Sequence, residues 1–326
     1  MAFRIHFTAE DLARTRVASS PWPLWELVIA IRELQVRGNP TRLGAWRRQV
    51  LPELPAGART LFELVKPLGV SPAFLSPTRV GTVEELLDQV RSTPRHEIRR
   101  ALDDLALHQP VPRWAPRLLD DPRALTDLAD TLGAVHEKAL APYWPELSDA
   151  VRADRAVRGR ELLDGGVERL LAGLFPGRVR WLAPVLELDM CSGLDGDLHL
   201  CGRGLVLAPS ALVYAGFLIE ADADPPVLAF PARHGPRLPL GVRASEGAPP
   251  SLGTLLGRTR AAVLHAVADR PGCTTTELAA SAGIALASAS EHASVLRDAG
   301  LITTQRHRNT ALHTPTHRGM ALLDAT

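Results

Sequence analysis

The chain has 326 residues, long enough for two or three domains with their own cores, and its 46% hydrophobic and 22% charged content excludes wholesale disorder. Its formal net charge is +1 with Lys66 and Lys138 as the two lysines, so nothing global advertises nucleic acid and any such surface must be local. Three cysteines (Cys191, Cys201 and Cys273) exclude a disulfide framework, and no apolar run nears the roughly 20 residues that span a bilayer.

The N-terminus, with Arg4, His6, Glu10 and Asp11 close together, lacks a signal-peptide core, so a cytoplasmic location without membrane attachment is expected. Phe3, Ile5 and Phe7 alternate as in a short strand. Thr8 then stands as an N-cap before first-turn acids, opening a helix to about Val17. Leu24, Leu27, Val28, Ile31 and Leu34 form an apolar stripe, and further helices are predicted near Leu61–Leu68, Val83–Val90, Ile98–Leu107 and Leu125–Leu140. A last helical stretch follows Pro145 and runs to about Leu174, with a break at Gly165-Gly166. After Pro176-Gly177 the pattern changes to short apolar runs between Gly, Asp and Pro. Val179–Leu188, Asp197–Leu200, Gly204–Leu207 and Val227–Phe230 read as strands of a small antiparallel sheet. Ala244–Pro250 reads as a linker.

From Leu252 the chain spells helix, helix, tight turn, helix, hairpin, helix. Leu255, Ala262, Val263 and Val267 line a first helix that ends near Arg270. Thr274 or Thr275 caps the next, with Glu277 in its first turn; Gly283 permits the tight turn, and Ile284 fills the angle between helices. Leu286 to Ala299 is a third helix stopped by Gly300. Leu301–Thr304 and Thr310–Thr314 flank the turn Gln305-Arg-His-Arg-Asn, and Thr316–Leu323 closes the segment. The expected fold class is α+β, mainly α: a helical N-terminal domain (1–177), a small β-rich unit (178–245) and a C-terminal winged helix-turn-helix (251–326).

Glu277-Leu-Ala-Ala-Ser-Ala-Gly-Ile, followed by Ser290-Glu-His-Ala-Ser-Val-Leu-Arg-Asp-Ala-Gly-Leu-Ile, closely resembles ArsR-type bacterial repressors over residues 251–326. The whole layout resembles large actinobacterial regulators of that type with a long N-terminal domain. The resemblance implies a sequence-specific regulator of transcription, expected to be a repressor, that binds double-stranded DNA as a homodimer. In such a fold the second helix of the motif enters the major groove. Ala289, Ala293 and Leu296, spaced i, i+4 and i+7, should face the core. That leaves Ala287, Ser288, Ser290, Glu291 and Ser294 toward DNA, flanked by His292 and Arg297. Arg306 and Arg308 of the wing would meet the backbone or the minor groove. Glu291 stands where many such relatives carry a basic or amide residue.

Metal-sensing members carry a Cys-x-Cys-type pair in the first helix of the motif, and Thr276–Gly283 contains no cysteine. Cys191, His199 and Cys201 with Asp189 and Asp197 form the alternative cluster, which core-filling cysteines beside a turn explain better. His313 and His317 lack nearby carboxylates, so neither metal nor cofactor is expected. No phosphate-binding loop, nucleophile elbow or isolated carboxylate pair marks an enzyme. An interaction adaptor and an unrecognised N-terminal enzyme are the competing classes. Trp22, Trp25, Trp46, Trp114 and Trp144 would wall a pocket for a small organic effector or simply fill the core.

Overall fold

The computed structural model describes residues 2–36, 40–175, 178–190, 195–213, 216–232, 250–269, 272–307 and 310–324. It opens with β1 (Ala2–His6), α1 (Ala9–Arg14) and β2 (Arg16–Val17). Thr8 caps α1 reciprocally with Asp11, as its position before the acids predicts, but the helix stops at Arg14 and Val17 is in a strand. Seven helices follow: α2 (Pro23–Gln35), α3 (Pro40–Val50), α4 (Ala58–Leu64), α5 (Val83–Arg91), α6 (Arg95–His108), α7 (Arg117–Asp120) and α8 (Pro122–Ala139). Their apolar stripes converge on one core that includes Leu24, Leu27, Ile31, Trp46, Leu61, Leu86 and Leu132.

α9 (Trp144–Ala172) is two helices joined at Gly165-Gly166, where Gly166 takes φ +70° and ψ −172°, open to glycine and strained for any other residue. In a straight helix Gly173 would lie about 22 Å along the axis from Arg158. Instead the buried Arg158 donates to the carbonyls of Gly173 (2.6 Å) and Leu174 (3.0 Å), because the glycine pair folds the chain back. Asp154 (3.2 Å) and Glu161 (3.0 Å) balance its charge, and its guanidinium lies 5.0 Å from the Phe230 ring centre.

The strands are β3 (Val179–Leu182), β4 (Val185–Asp189), β5 (Gly196–His199), β6 (Val206–Ser210), β7 (Leu218–Glu220) and β8 (Val227–Pro231). They form two four-stranded sheets, β3-β4-β1-β5 and β2-β6-β8-β7, each of which recruits a strand from the first 17 residues. β1 pairs antiparallel with β4 (Ile5 opposite Leu186) and parallel with β5 (His6 opposite His199). β2 and β8 both run parallel to β6. The sheets are therefore mixed rather than antiparallel, and the division at 177/178 parts strands that are hydrogen-bonded. The local alternation was legible; the pairing partners are almost 200 residues away and leave no local signature.

β6 and β8 have both faces covered, which explains their unbroken apolar runs. Val206, Ala208, Val227 and Ala229 point into the helical core, while Leu207, Leu228 and Phe230 point into a second core with Ile5, Phe7, Leu171, Leu186 and Leu188. Across this layer Ser210 donates its hydroxyl to the buried Glu26 carboxyl of α2 at 2.9 Å. Burial pushes that carboxyl up to about 7 against the pull of its hydrogen bonds.

The C-terminal segment comprises α10 (Pro250–Leu256), α11 (Arg258–Asp269), β9 (Cys273–Thr274), α12 (Thr275–Ala282), α13 (Leu286–Asp298), β10 (Ile302–His307), β11 (Thr310–Pro315) and α14 (His317–Asp324). Its core, with Leu252, Leu264, Val267, Leu278, Leu296 and Leu323, is a third cluster of its own. The expected first helix is split at Gly257, and Leu255, expected to face inward, is 66% exposed while Leu252 fills the core. The whole is α+β, mainly α. No helix among the described residues is long and apolar enough to cross a membrane.

Candidate nucleic-acid interface

The two helices of the motif owe their angle to three local devices. Thr274 accepts from the Glu277 N–H at 3.1 Å, and Glu277 Oε2 accepts from the Thr274 N–H at 2.9 Å, so α12 starts in a closed capping box. It ends at Gly283 in the left-handed conformation (φ +64°, ψ +36°), and the Ile284 N–H returns to the Ala279 carbonyl at 3.0 Å. α13 then leaves Ala285, which offers no side-chain cap. Its first N–H groups therefore point outward without an intramolecular side-chain acceptor.

α13 packs on α11, α12 and β10. Ala289, Ala293 and Leu296 are its buried stripe, at 0%, 2% and 1% exposure, as their spacing predicts. Ala287, Ser290, Glu291 and Arg297 are exposed; Ser288, His292 and Ser294 are half-buried. Arg297 is drawn to its neighbour Asp298 at 3.1 Å. Leu286, at the first position of the helix, is 54% exposed.

The wing is the antiparallel pair β10–β11, to which β9 adds a short third strand. Arg306 lies in β10, with its side chain outside the described residues; Arg308 lies outside them altogether. His313 ties the wing to the motif. Thr275 Oγ1, in the first turn of α12, and Thr304 Oγ1, in β10, each sit 3.0 Å from one of its ring nitrogens. Burial, with the charge of Arg297 adding to it, holds the His313 pKa below its ordinary value, so the ring serves as a neutral strut between two hydroxyls. Sequence spacing weighed His313 as a metal ligand and missed this role, which depends on threonines 38 and 9 positions away. At the exit of α13, Thr316 donates to the Gly300 carbonyl at 2.7 Å and accepts from the Gly319 N–H at 3.0 Å, docking α14.

The alternative cluster around His199 is arranged differently from the sequence expectation. β5 ends at His199, and Cys201 lies beyond it at φ +53° and is exposed, so it does not fill the core as expected. His199 stacks on His6 at 4.2 Å, and Asp197 is occupied by Arg4 (2.7 Å) and His6 (2.6 Å). Arg4 and His6 together hold the Asp197 carboxyl far below the usual range. Cys191 lies outside the described residues. Among the described residues no three His, Cys, Asp or Glu side chains are grouped to hold a metal ion. Trp22, Trp25 and Trp46 are buried in the helical core, with the Trp46 indole donating to the Ala139 carbonyl at 3.0 Å.

Residues 255–305 match the family model of a helix-turn-helix domain. The match begins inside α10, contains α11, α12 and α13 whole, and ends within β10, so it coincides with the motif built above from caps and turns. The helix-turn-helix domain thus occupies the C-terminal part of a longer chain. No curated protein and no solved structure matches the chain.

Proposed function

We propose that this chain is a transcriptional regulator, a repressor of the ArsR type acting in the cytoplasm, that lays α13 in the major groove of DNA and presses the β10–β11 wing against the backbone or the minor groove. The observation that carries this reading is the polar outer face of α13, set on a buried Ala289-Ala293-Leu296 stripe inside a segment that matches a helix-turn-helix domain. Ser288, Ser290, Glu291 and Ser294 are the side chains for base edges; His292, Arg297, Arg306 and Arg308 serve phosphates. The uncapped start of α13 offers backbone N–H groups to a phosphate as well. No catalytic role is assigned to residues 1–232.

One such head meets few bases, so the working species is a homodimer whose two α13 helices read half-sites about 10 base pairs, or a multiple of that, apart. The long N-terminal region answers to an effector, for which a small organic molecule fits better than a metal, and shifts the balance between two arrangements of the dimer. Mobility shift over a salt series tests the core of the proposal. The full-length chain should bind duplex DNA with an affinity that falls steeply with salt. Replacing Arg306 and Arg308 by alanine should lower affinity for all sequences and reduce the slope by about 2, one for each phosphate that is no longer neutralised. An unchanged slope refutes the wing contacts, and no salt-dependent binding at all refutes the regulator.

A further inference from the structure

The outer face of α13 carries one ionised side chain for which the fold has no use. Glu291 is exposed, and no cation among the described residues pairs with it. The positions that could supply a helical partner, three and four residues away, are Ala287, Ser288, Ser294 and Val295. It also lies in the second turn, five residues beyond Leu286, so the helix dipole that favours acids in a first turn does little for it. A carboxylate here, in a helix read as entering a polyanion, weakens association unless it meets a donor. Of the donors exposed in the major groove, the exocyclic N4 amine of cytosine is the one a carboxylate recognises.

The rest of the helix makes this choice sharper. Apart from Arg297 in its last turn, which is drawn to Asp298, α13 has no Arg, Lys, Asn or Gln, the residues that read guanine or adenine through two hydrogen bonds. Ser290 and Ser294 accept any base. Ala287, one turn before Glu291 on the same face, is a small apolar surface suited to a pyrimidine 5-position.

We propose that Glu291 is the specificity-determining residue of α13 and selects a cytosine in each half-site by accepting a hydrogen bond from its N4 amine. This rests on the DNA-binding reading above and deepens it.

The test is selection from a random duplex pool with the full-length protein, followed by affinity measurements on point-substituted duplexes. Wild-type protein should select a consensus with a cytosine whose replacement by thymine or adenine weakens binding on the order of tenfold. Glu291→Ala should flatten discrimination at that position and leave the other positions as they were. Glu291→Gln, whose amide matches adenine N6 and N7, should move the preference there from cytosine toward adenine. The side chain is exposed, so both variants should keep the wild-type unfolding midpoint. If both variants keep the wild-type consensus at every position, the inference falls while the regulator stands. Uniformly tighter binding by Glu291→Ala on all duplexes would also overturn it, by placing the carboxylate beside phosphate rather than a base. A wild-type protein that binds no duplex takes down the DNA-binding reading itself, and the inference with it.

Discussion

Glu26 shows what one buried carboxyl does to the molecule. It sits on α2 facing β6, is fully enclosed, and has Ser210 as its hydroxyl donor. Its pKa is about 7 in the folded chain against an ordinary value of 4.5. The folded state therefore keeps a proton that the unfolded state has already released between those two values. Below pH 4.5 both states are protonated and the group contributes no pH dependence. As pH rises from 4.5 to 7 the unfolded state gains, by about 3 kcal/mol in all, and above 7 the loss is complete. Glu220, half-buried and also raised to about 7 by partial desolvation and the nearby Asp222, adds a slope of the same sign. Chemical denaturation of Glu26→Gln across roughly pH 4.5–7.5 should show a shallower fall in stability than the wild type. An identical slope would show that the Glu26 carboxyl ionises freely in the folded state.

At the level of elements, the corner where α13, β10 and α14 meet is held by close backbone approach. A Cβ built on Gly319 would overlap the Leu301 carbonyl oxygen, which is backbone and cannot swing aside. Gly319→Ala should therefore lift α14 from the α13 exit and break the Thr316 bridge. The expected result is a loss of about 2 kcal/mol or more, in the range of overpacked cores, with amide exchange protection lost first in residues 317–324. Wild-type protection in α14 would refute the close packing. The same corner shows what sequence can and cannot reveal. Gly300, Gly283 and a threonine cap at 274 or 275 with Glu277 in the first turn were legible because caps and turns are local chemistry. The Gly319 contact and the His313 strut were not, since each depends on a partner brought near by the finished fold. Leu255 failed for a related reason: helical phase says which way a side chain points, and the fold decides whether anything covers it.

For the whole molecule, the sheets decide what folds with what. The sequence reads as a helical domain followed by a β-rich unit, yet β1 and β2 leave the first segment and pair with strands between 185 and 207. β6 and β8 then serve both cores at once, with alternate side chains on opposite faces. Neither core is complete without the other's strands. A fragment of residues 18–177, cut where composition changes, would lose Val206, Ala208, Val227 and Ala229 from its helical core and leave Glu26 without Ser210. It should be a loosely packed or aggregating species without a cooperative unfolding transition. Residues 1–232 contain every strand of both sheets and should unfold in one transition whether followed by far-ultraviolet circular dichroism or by tryptophan fluorescence. The C-terminal fragment 250–326, with its separate core, should fold in its absence. A sharp, reversible transition in the 18–177 fragment near the midpoint of 1–232 would overturn this account, because it would make the helices independent of the sheet that their core shares.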